Sequence, residues 1–449
     1  MLFNLSRFFL FIFAAITGLY LNAGELEANK VGMSQERLDK IAPALSKYVA
    51  SGQLPGLITA VARKGEMVHF EVQGFADLKN SVPLKKDSLF RIYSMSKPIT
   101  GVALMILIEE GKIRLSDPVT LYIPQFASMK VLVVNEDGTT SQEKQKKPLT
   151  IRDLATHTSG IAYNFTANKE LAKIYNDNKM SPFFSIRKGM DTDNLKEFKN
   201  ICDFSVSLAT KTPLMHQPGY KYTYGMGMDV LGCIIERASG QTFDNFLKER
   251  IFDPLDMRDT FFSIPEEKLD RFTDLYAFAP ALGYLTPSIA SKDPIILIDK
   301  KETSPYLAKA TVFDGGTGLI ASTQDYLRFS QMLLNGGKLG EVRILSRKSV
   351  ELMSRNHLSK EVLARNSFPG LQGFPELQGF GLTLGVDLDK GLQGSHGSDG
   401  SFYWGGAAST VFWVDPKEDL IAVLMTQVLA SPLPLREEFS TLVYQAIDD

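Results

Sequence analysis

Ser94 and Lys97 lie three residues apart in the run Ser94-Met95-Ser96-Lys97, a spacing at which a hydroxyl and an amine can work together. A serine hydroxyl is a poor nucleophile until a neighbouring base takes its proton. At the mouth of a helix, residues three apart share a face, so the Lys97 amine can reach the Ser94 oxygen. Burial disfavours an ammonium, which suits a lysine in apolar surroundings to the role of base. The helix N-terminus adds a field that favours an oxyanion. The pattern alone is weak, because Ser141 with Lys144 and Ser185 with Lys188 repeat it. Ser141 falls in a polar stretch and Ser185 leads into Gly189-Met190-Asp191, whereas Ser94 opens an apolar segment, residues 99–108, that Gly111 can end. Without further context Ser94 reads equally well as a helix cap with Lys97 on the surface.

Other chemistries find less support. There is no G-x-S-x-G elbow, and the five histidines show no H-x-x-x-H zinc spacing. His396 and Asp399 sit in Gly394-Ser395-His396-Gly397-Ser398-Asp399-Gly400, which reads as a solvent loop rather than part of a triad. No metal or cofactor is expected. The formal net charge is -2 and the basic residues are scattered, which excludes the footprint of a nucleic-acid binder.

The elements that must position Ser94 are read from periodicity. Ser34 caps one amphipathic helix running to Val49, and apolar runs at 57–62 and 67–72, separated by Arg63-Lys64-Gly65-Glu66, predict a β-hairpin. Residues 135–147 read as a solvated loop, and 151–300 as largely helical, including 229–238 closed by Gly240. A helix is predicted over 323–334, then Pro/Gly-rich chain from 368 to 381. Antiparallel strands follow at 381–386, 401–404, 409–414 and 420–426. The fold class is α/β (α+β): an antiparallel sheet built from both chain ends, with flanking helices and a largely helical insertion. A single domain is expected over 24–449, its sheet part near 30–93 and 310–449 and its helical part near 94–309.

Arg7 followed by an apolar run from Phe8 to Leu21 and by Ala23-Gly24 predicts a secretory signal peptide, residues 1–23. The run is short for a membrane span of about 20 residues. The mature protein is therefore expected in the periplasm or outside the cell, with an uncleaved anchor as the alternative. Cys202 and Cys233 are the two cysteines, and the apolar helical context of Cys233 favours a buried free thiol over a bridge.

Several motifs then occur in a recognisable order. Ser94-Met95-Ser96-Lys97-Pro98-Ile99-Thr100 is followed by Leu149-Thr150-Ile151-Arg152-Asp153-Leu154-Ala155-Thr156-His157-Thr158-Ser159-Gly160 and Pro218-Gly219-Tyr220-Lys221-Tyr222-Thr223-Tyr224. Gly315-Gly316-Thr317-Gly318-Leu319-Ile320-Ala321-Ser322-Thr323 and Trp404-Gly405-Gly406-Ala407 complete the series. Together they resemble the class C β-lactamase-related family of serine hydrolases, with its penicillin-binding transpeptidase-like fold, over nearly the whole mature chain. The resemblance implies that Ser94 is acylated, that Lys97 and Tyr224 serve as general base and acid, and that the Ser94 and Ala407 amides hold the oxyanion. Tyr222 matches the aromatic position before Tyr224.

Two departures bear on substrate. β-Lactamases and peptidases of the superfamily carry asparagine where Met226 stands and lysine where Trp404 stands. With both polar handles gone, Trp404-Gly405-Gly406 and Tyr224-Gly225-Met226 resemble the family's carboxylesterase branch, whose apolar site lacks the cation that pairs a carboxylate. The leading expectation is hydrolysis of small neutral carboxylic esters, with Trp404, Gly405, Gly406, Met226 and Tyr222 around the substrate. The alternatives are a β-lactamase or D-alanyl-D-alanine peptidase using the same serine, and a penicillin-recognising protein without turnover.

Overall fold

The strands at the two ends of the chain meet in one eight-stranded antiparallel sheet. The computed structural model describes residues 28–180, 198–279, 294–365 and 378–449. The signal-peptide segment, Ser185 with Lys188, and most of the Pro/Gly-rich chain before Gly381 lie outside them. The sheet contains β1 (Gly56–Arg63), β2 (Glu66–Asp77), β3 (Val82–Pro83), β4 (Gln378–Phe380), β5 (Gly385–Asp387), β6 (Phe402–Gly405), β7 (Val411–Asp415) and β8 (Leu420–Met425). Their order across the sheet is β4-β5-β6-β7-β8-β1-β2-β3, so β8 from the far end of the chain pairs with β1.

The central strands are buried on both faces, and their alternation assigns each face to a different core. Ile58, Ala60 and Ala62 of β1 and Ile421, Val423 and Met425 of β8 join one core with α2 (Ser96–Glu109), α4 (Gly227–Ser239) and α5 (Thr323–Leu334). Leu57, Val61, Leu420, Ala422 and Leu424 face the other, with α1 (Ile41–Ala50) and α6 (Leu435–Tyr444). Helix α3 (Ile201–Lys211) packs on α4. Helix α2 is buried from Ser96 to Leu107, which explains a sequence that is apolar all round.

Helix 323–334 forms as its pattern predicts, capped by the Ser322 side chain. Elsewhere the structure differs from expectation. The first helix breaks into Gln35–Leu38 and α1, and the polar stretch after Asn135 contributes Thr140–Glu143, the outer strand of a hairpin whose inner strand, Val131–Val134, buries Val131 and Leu132. The helical middle contains strands Leu275–Phe278 and Ile295–Asp299, which form a small sheet with Val428–Leu429. The strand at 381–386 becomes two, β4 and β5, with Thr383 at φ 72° in the turn between them. The free-thiol expectation is overturned: Cys202 on α3 and Cys233 on α4 form a disulfide. Helix packing brings their Cα atoms to 4.8 Å, within bridging range, a contact that neither local sequence encodes.

Candidate active site

The strand Leu89–Arg91 leads the chain into the site and is fastened at its end. Buried Arg91 pairs with Asp299 at 2.6 Å, donates to Thr273 O at 2.7 Å, and exchanges backbone hydrogen bonds with the Gln427 amide. Tyr93 then adopts φ 41°, a left-handed conformation costly for a bulky residue, and a single 3-10 turn, Tyr93–Met95, presents Ser94 half-buried. Ser94 therefore precedes helix α2 rather than lying in it. Lys97, one turn on, is fully buried.

The Lys97 ammonium donates to Ser94 Oγ at 3.1 Å and to the Gly316 carbonyl at 2.9 Å, and it lies 4.7 Å from the Tyr224 ring centroid and 5.3 Å from that of Tyr163. Two acceptors and two aromatic faces replace the water that a buried ammonium gives up. From the loop before α4, the Tyr224 hydroxyl donates to Ser94 Oγ at 2.6 Å. The Tyr224 carbonyl accepts from Thr166 Oγ1 at 2.6 Å, and the next amide, Gly225 N–H, donates to His157 Nδ1 at 3.2 Å. Gly225 is required at that place, since a Cβ there would overlap the Ile161 carbonyl. Full burial, with the nearby Lys97 charge, holds His157 well below the ordinary imidazole range, so its ring supports Tyr224 as a neutral edge-on neighbour.

Opposite Ser94 runs the end of β6. Trp404, Gly405, Gly406 and Ala407 join Ser94, Tyr222 and Tyr224 around a cavity of about 510 Å³. Gly406 N–H donates to Thr410 O at 2.8 Å, closing a turn around Ala407. Neither the Ser94 nor the Ala407 amide donates a hydrogen bond within the described residues. Trp404 packs against Tyr224 and Phe380. Tyr222 lies against His157 and Phe380, and burial pushes its hydroxyl well above the usual phenol range.

A family model described as Beta-lactamase matches residues 41–442. The chain belongs to the beta-lactamase family. Protein Rv1367c of Mycobacterium tuberculosis is 32% identical over 393 residues, covering 87% of this chain and 90% of that protein. Esterase EstB of Burkholderia gladioli is 30% identical over 301 residues, 65% of this chain and 68% of that one. Among solved structures, EstCE1, a hydrolase with promiscuous acyltransferase activity, superposes with a TM-score of 0.72 at 22% identity over 91% of this chain and 99% of its own, which shows a shared fold.

In this member of the beta-lactamase family, Ser94, Lys97 and Tyr224 converge within hydrogen-bonding distance. Trp404, Gly405, Gly406, Ala407 and Tyr222 share their cavity. Met226 does not: it is fully buried ahead of α4 and is absent from the cavity wall. The sequence reading of a site without a cation also needs correction. Arg436 of α6 enters the wall, its guanidinium 3.6 Å from the Tyr403 ring centroid and without an ion pair among the described residues. Its distance in sequence from every motif hid it, whereas Gly316 lies within a motif and only the meeting of its carbonyl with Lys97 went unread. His396 and Asp399 stay in their exposed turn, where His396 meets Thr441.

Proposed function

We propose that this protein hydrolyses small carboxylic esters through an acyl-enzyme on Ser94. The observation that carries this is the placement of Ser94 Oγ 2.6 Å from the Tyr224 hydroxyl and 3.1 Å from the Lys97 ammonium, in a cavity that Tyr163, Tyr222, Tyr403 and Trp404 also line. Once the Lys97–Tyr224 couple has lost one proton it can accept another from Ser94, whose oxygen attacks the ester carbonyl carbon. The oxyanion forms between the Ser94 and Ala407 amides, each typically worth about 3 kcal/mol in the transition state. The couple returns its proton to the leaving alkoxide, and water then repeats the sequence on the acyl-enzyme. Trp404 supplies an apolar wall where a lysine would have selected a carboxylate, and the likeness to Esterase EstB agrees with an ester as substrate.

A β-lactamase or D-alanyl peptidase activity is the second reading. It is favoured by Arg436, a cation able to pair a carboxylate. Purified protein is assayed on short p-nitrophenyl esters and on a chromogenic cephalosporin. Ester turnover with weak cephalosporin turnover is expected, and the reverse order would sink the esterase reading. A fluorophosphonate adduct mapped to Ser94 by mass spectrometry, and its loss in Ser94→Ala, tests the nucleophile. Export through the predicted signal peptide belongs to the same proposal, supported by the Cys202–Cys233 bridge, which persists in oxidising compartments.

A further inference from the structure

The carbonyl that holds Lys97 belongs to the peptide between Gly316 and Thr317, and the other side of that peptide is also fixed. Thr317 N–H donates to Asp314 Oδ1 at 2.9 Å while Gly316 O accepts from Lys97 at 2.9 Å, so one amide links a carboxylate to the ammonium. The preceding amide, Gly316 N–H, is shared by two acids: it lies 2.9 Å from Asp229 Oδ1 and 2.7 Å from Asp314 Oδ1. A side chain at position 316 would press on the Asp229 carboxyl and the Tyr163 hydroxyl, so the loop can approach this closely only with glycine there. Asp229 stands in the first turn of α4, five residues beyond Tyr224, and both acids are buried.

Two buried carboxyls that share one donor cannot both be charged cheaply. Asp314 accepts from Gly316 N–H, Thr317 N–H and the Thr317 hydroxyl, so the charge resides there. Asp229 Oδ2 is buried and receives no hydrogen bond among the described residues, and burial together with the Asp314 charge pushes the Asp229 carboxyl well above its ordinary range.

We propose that Asp229 and Asp314 form a proton-sharing pair that positions the Gly316–Thr317 peptide, and through it Lys97, and that the pair's single negative charge sets the pH at which the Lys97–Tyr224 couple becomes a base. This rests on the reading of Ser94, Lys97 and Tyr224 given above. Asp229 and Asp314 are positioning residues, since neither touches the reacting oxygen. The other ionisable groups facing the couple are His157, held neutral, and the phenols Tyr163 and Tyr222, both pushed up by burial. Arg436, Glu437 and Tyr403 stand on the cavity wall. A nearby anion favours the protonated couple, so removing it lets the proton leave at lower pH.

The test is the pH profile of kcat/KM for p-nitrophenyl butyrate, with thermal unfolding of every variant as a check on folding. Asp314→Asn combined with Asp229→Asn keeps acceptors for the peptide and deletes the pair's charge, and the acidic limb of this double variant should move to lower pH by about one unit. Asp229→Asn mimics the protonated acid and leaves the charge on Asp314. Its limb should stay in place and its kcat should fall by no more than about threefold. Asp229→Ala releases the loop, and kcat should fall about a hundredfold with KM little changed. An unmoved limb in the double variant, or Asp229→Asn as inactive as Asp229→Ala, overturns the proposal. If the double variant does not fold, the comparison of the two single Asp229 variants decides. Ser94→Ala and Lys97→Ala run alongside: full activity in either one refutes the underlying mechanism, whereas inactivity in both with unmoved aspartate profiles refutes only the pair's role.

Discussion

The Tyr224 hydroxyl donates to Ser94 Oγ at 2.6 Å across 130 residues of chain, while Tyr222, two positions away, makes no hydrogen bond to that oxygen among the described residues. Both tyrosines are plausible acid–base partners by chemistry, and Tyr224 is the one that touches the Ser94 oxygen. Tyr224→Phe removes a proton-transfer group, and ester kcat should fall about a hundredfold to ten-thousandfold. Tyr222→Phe should lose far less. Equal losses, measured with thermal unfolding unchanged, would contradict this division.

Trp404→Ala should have two effects. Trp404 is nearly buried between Tyr224 and Phe380, so truncation leaves a void and should cost about 3 kcal/mol of stability, read as a lower denaturant midpoint. The same void enlarges the cavity, so chain-length preference across p-nitrophenyl acetate to laurate should shift toward longer acyl groups. An unchanged preference would remove Trp404 from the binding wall.

Acid sensitivity should trace partly to a histidine remote from the site. His69 on β2 is buried beside Thr59 Oγ1 at 2.8 Å, and burial lowers it from 6.5 to about 4. Between those values the unfolded chain binds a proton that the folded chain refuses. Its contribution is therefore intact above 6.5 and is lost as pH falls toward 4, on the order of 3 kcal/mol in all. His69→Gln lacks this dependence. Relative to wild type, its unfolding free energy should improve by about 2.5 kcal/mol between about pH 7.5 and about pH 4.5. A constant difference across that window would show that folded His69 takes up its proton at the same pH as in the unfolded chain.

The disulfide gives a redox prediction. It closes a loop of 31 residues between Cys202 and Cys233, and removing such a constraint from the unfolded state should cost about 3 to 4 kcal/mol. Cys202→Ser with Cys233→Ser should lower the unfolding midpoint and abolish its response to dithiothreitol. A wild-type midpoint insensitive to reductant would argue against the bond in solution.

Much of this was readable beforehand where local rules operate. The helix 323–334 carries its own cap and apolar period, and Ser94 with Lys97 needs only the spacing of one turn. What escaped depends on contacts between distant segments. Gly316 O meets Lys97 across 219 residues, and Asp229 meets the loop at Gly316 across 87, contacts that the motif around Gly316 does not itself disclose. The hairpin strand Thr140–Glu143 is polar and exposed on both faces, so it lacks the alternation by which strands are recognised. The cysteine pair escaped for the same reason as Gly316: helix packing, not spacing, made the bond.

The register that pairs Ile58 with Met425 has a consequence for timing. The central strand β1 is made early but lacks one neighbour until β8 exists, and the β6 turn that faces Ser94 depends on that same late segment. Such long-range pairing is slow to form and leaves sheet edges open meanwhile. During synthesis, then, the growing chain carries Ser94 without the Trp404–Ala407 segment that walls its cavity. The site proposed for ester hydrolysis is completed only when the closing strands seat.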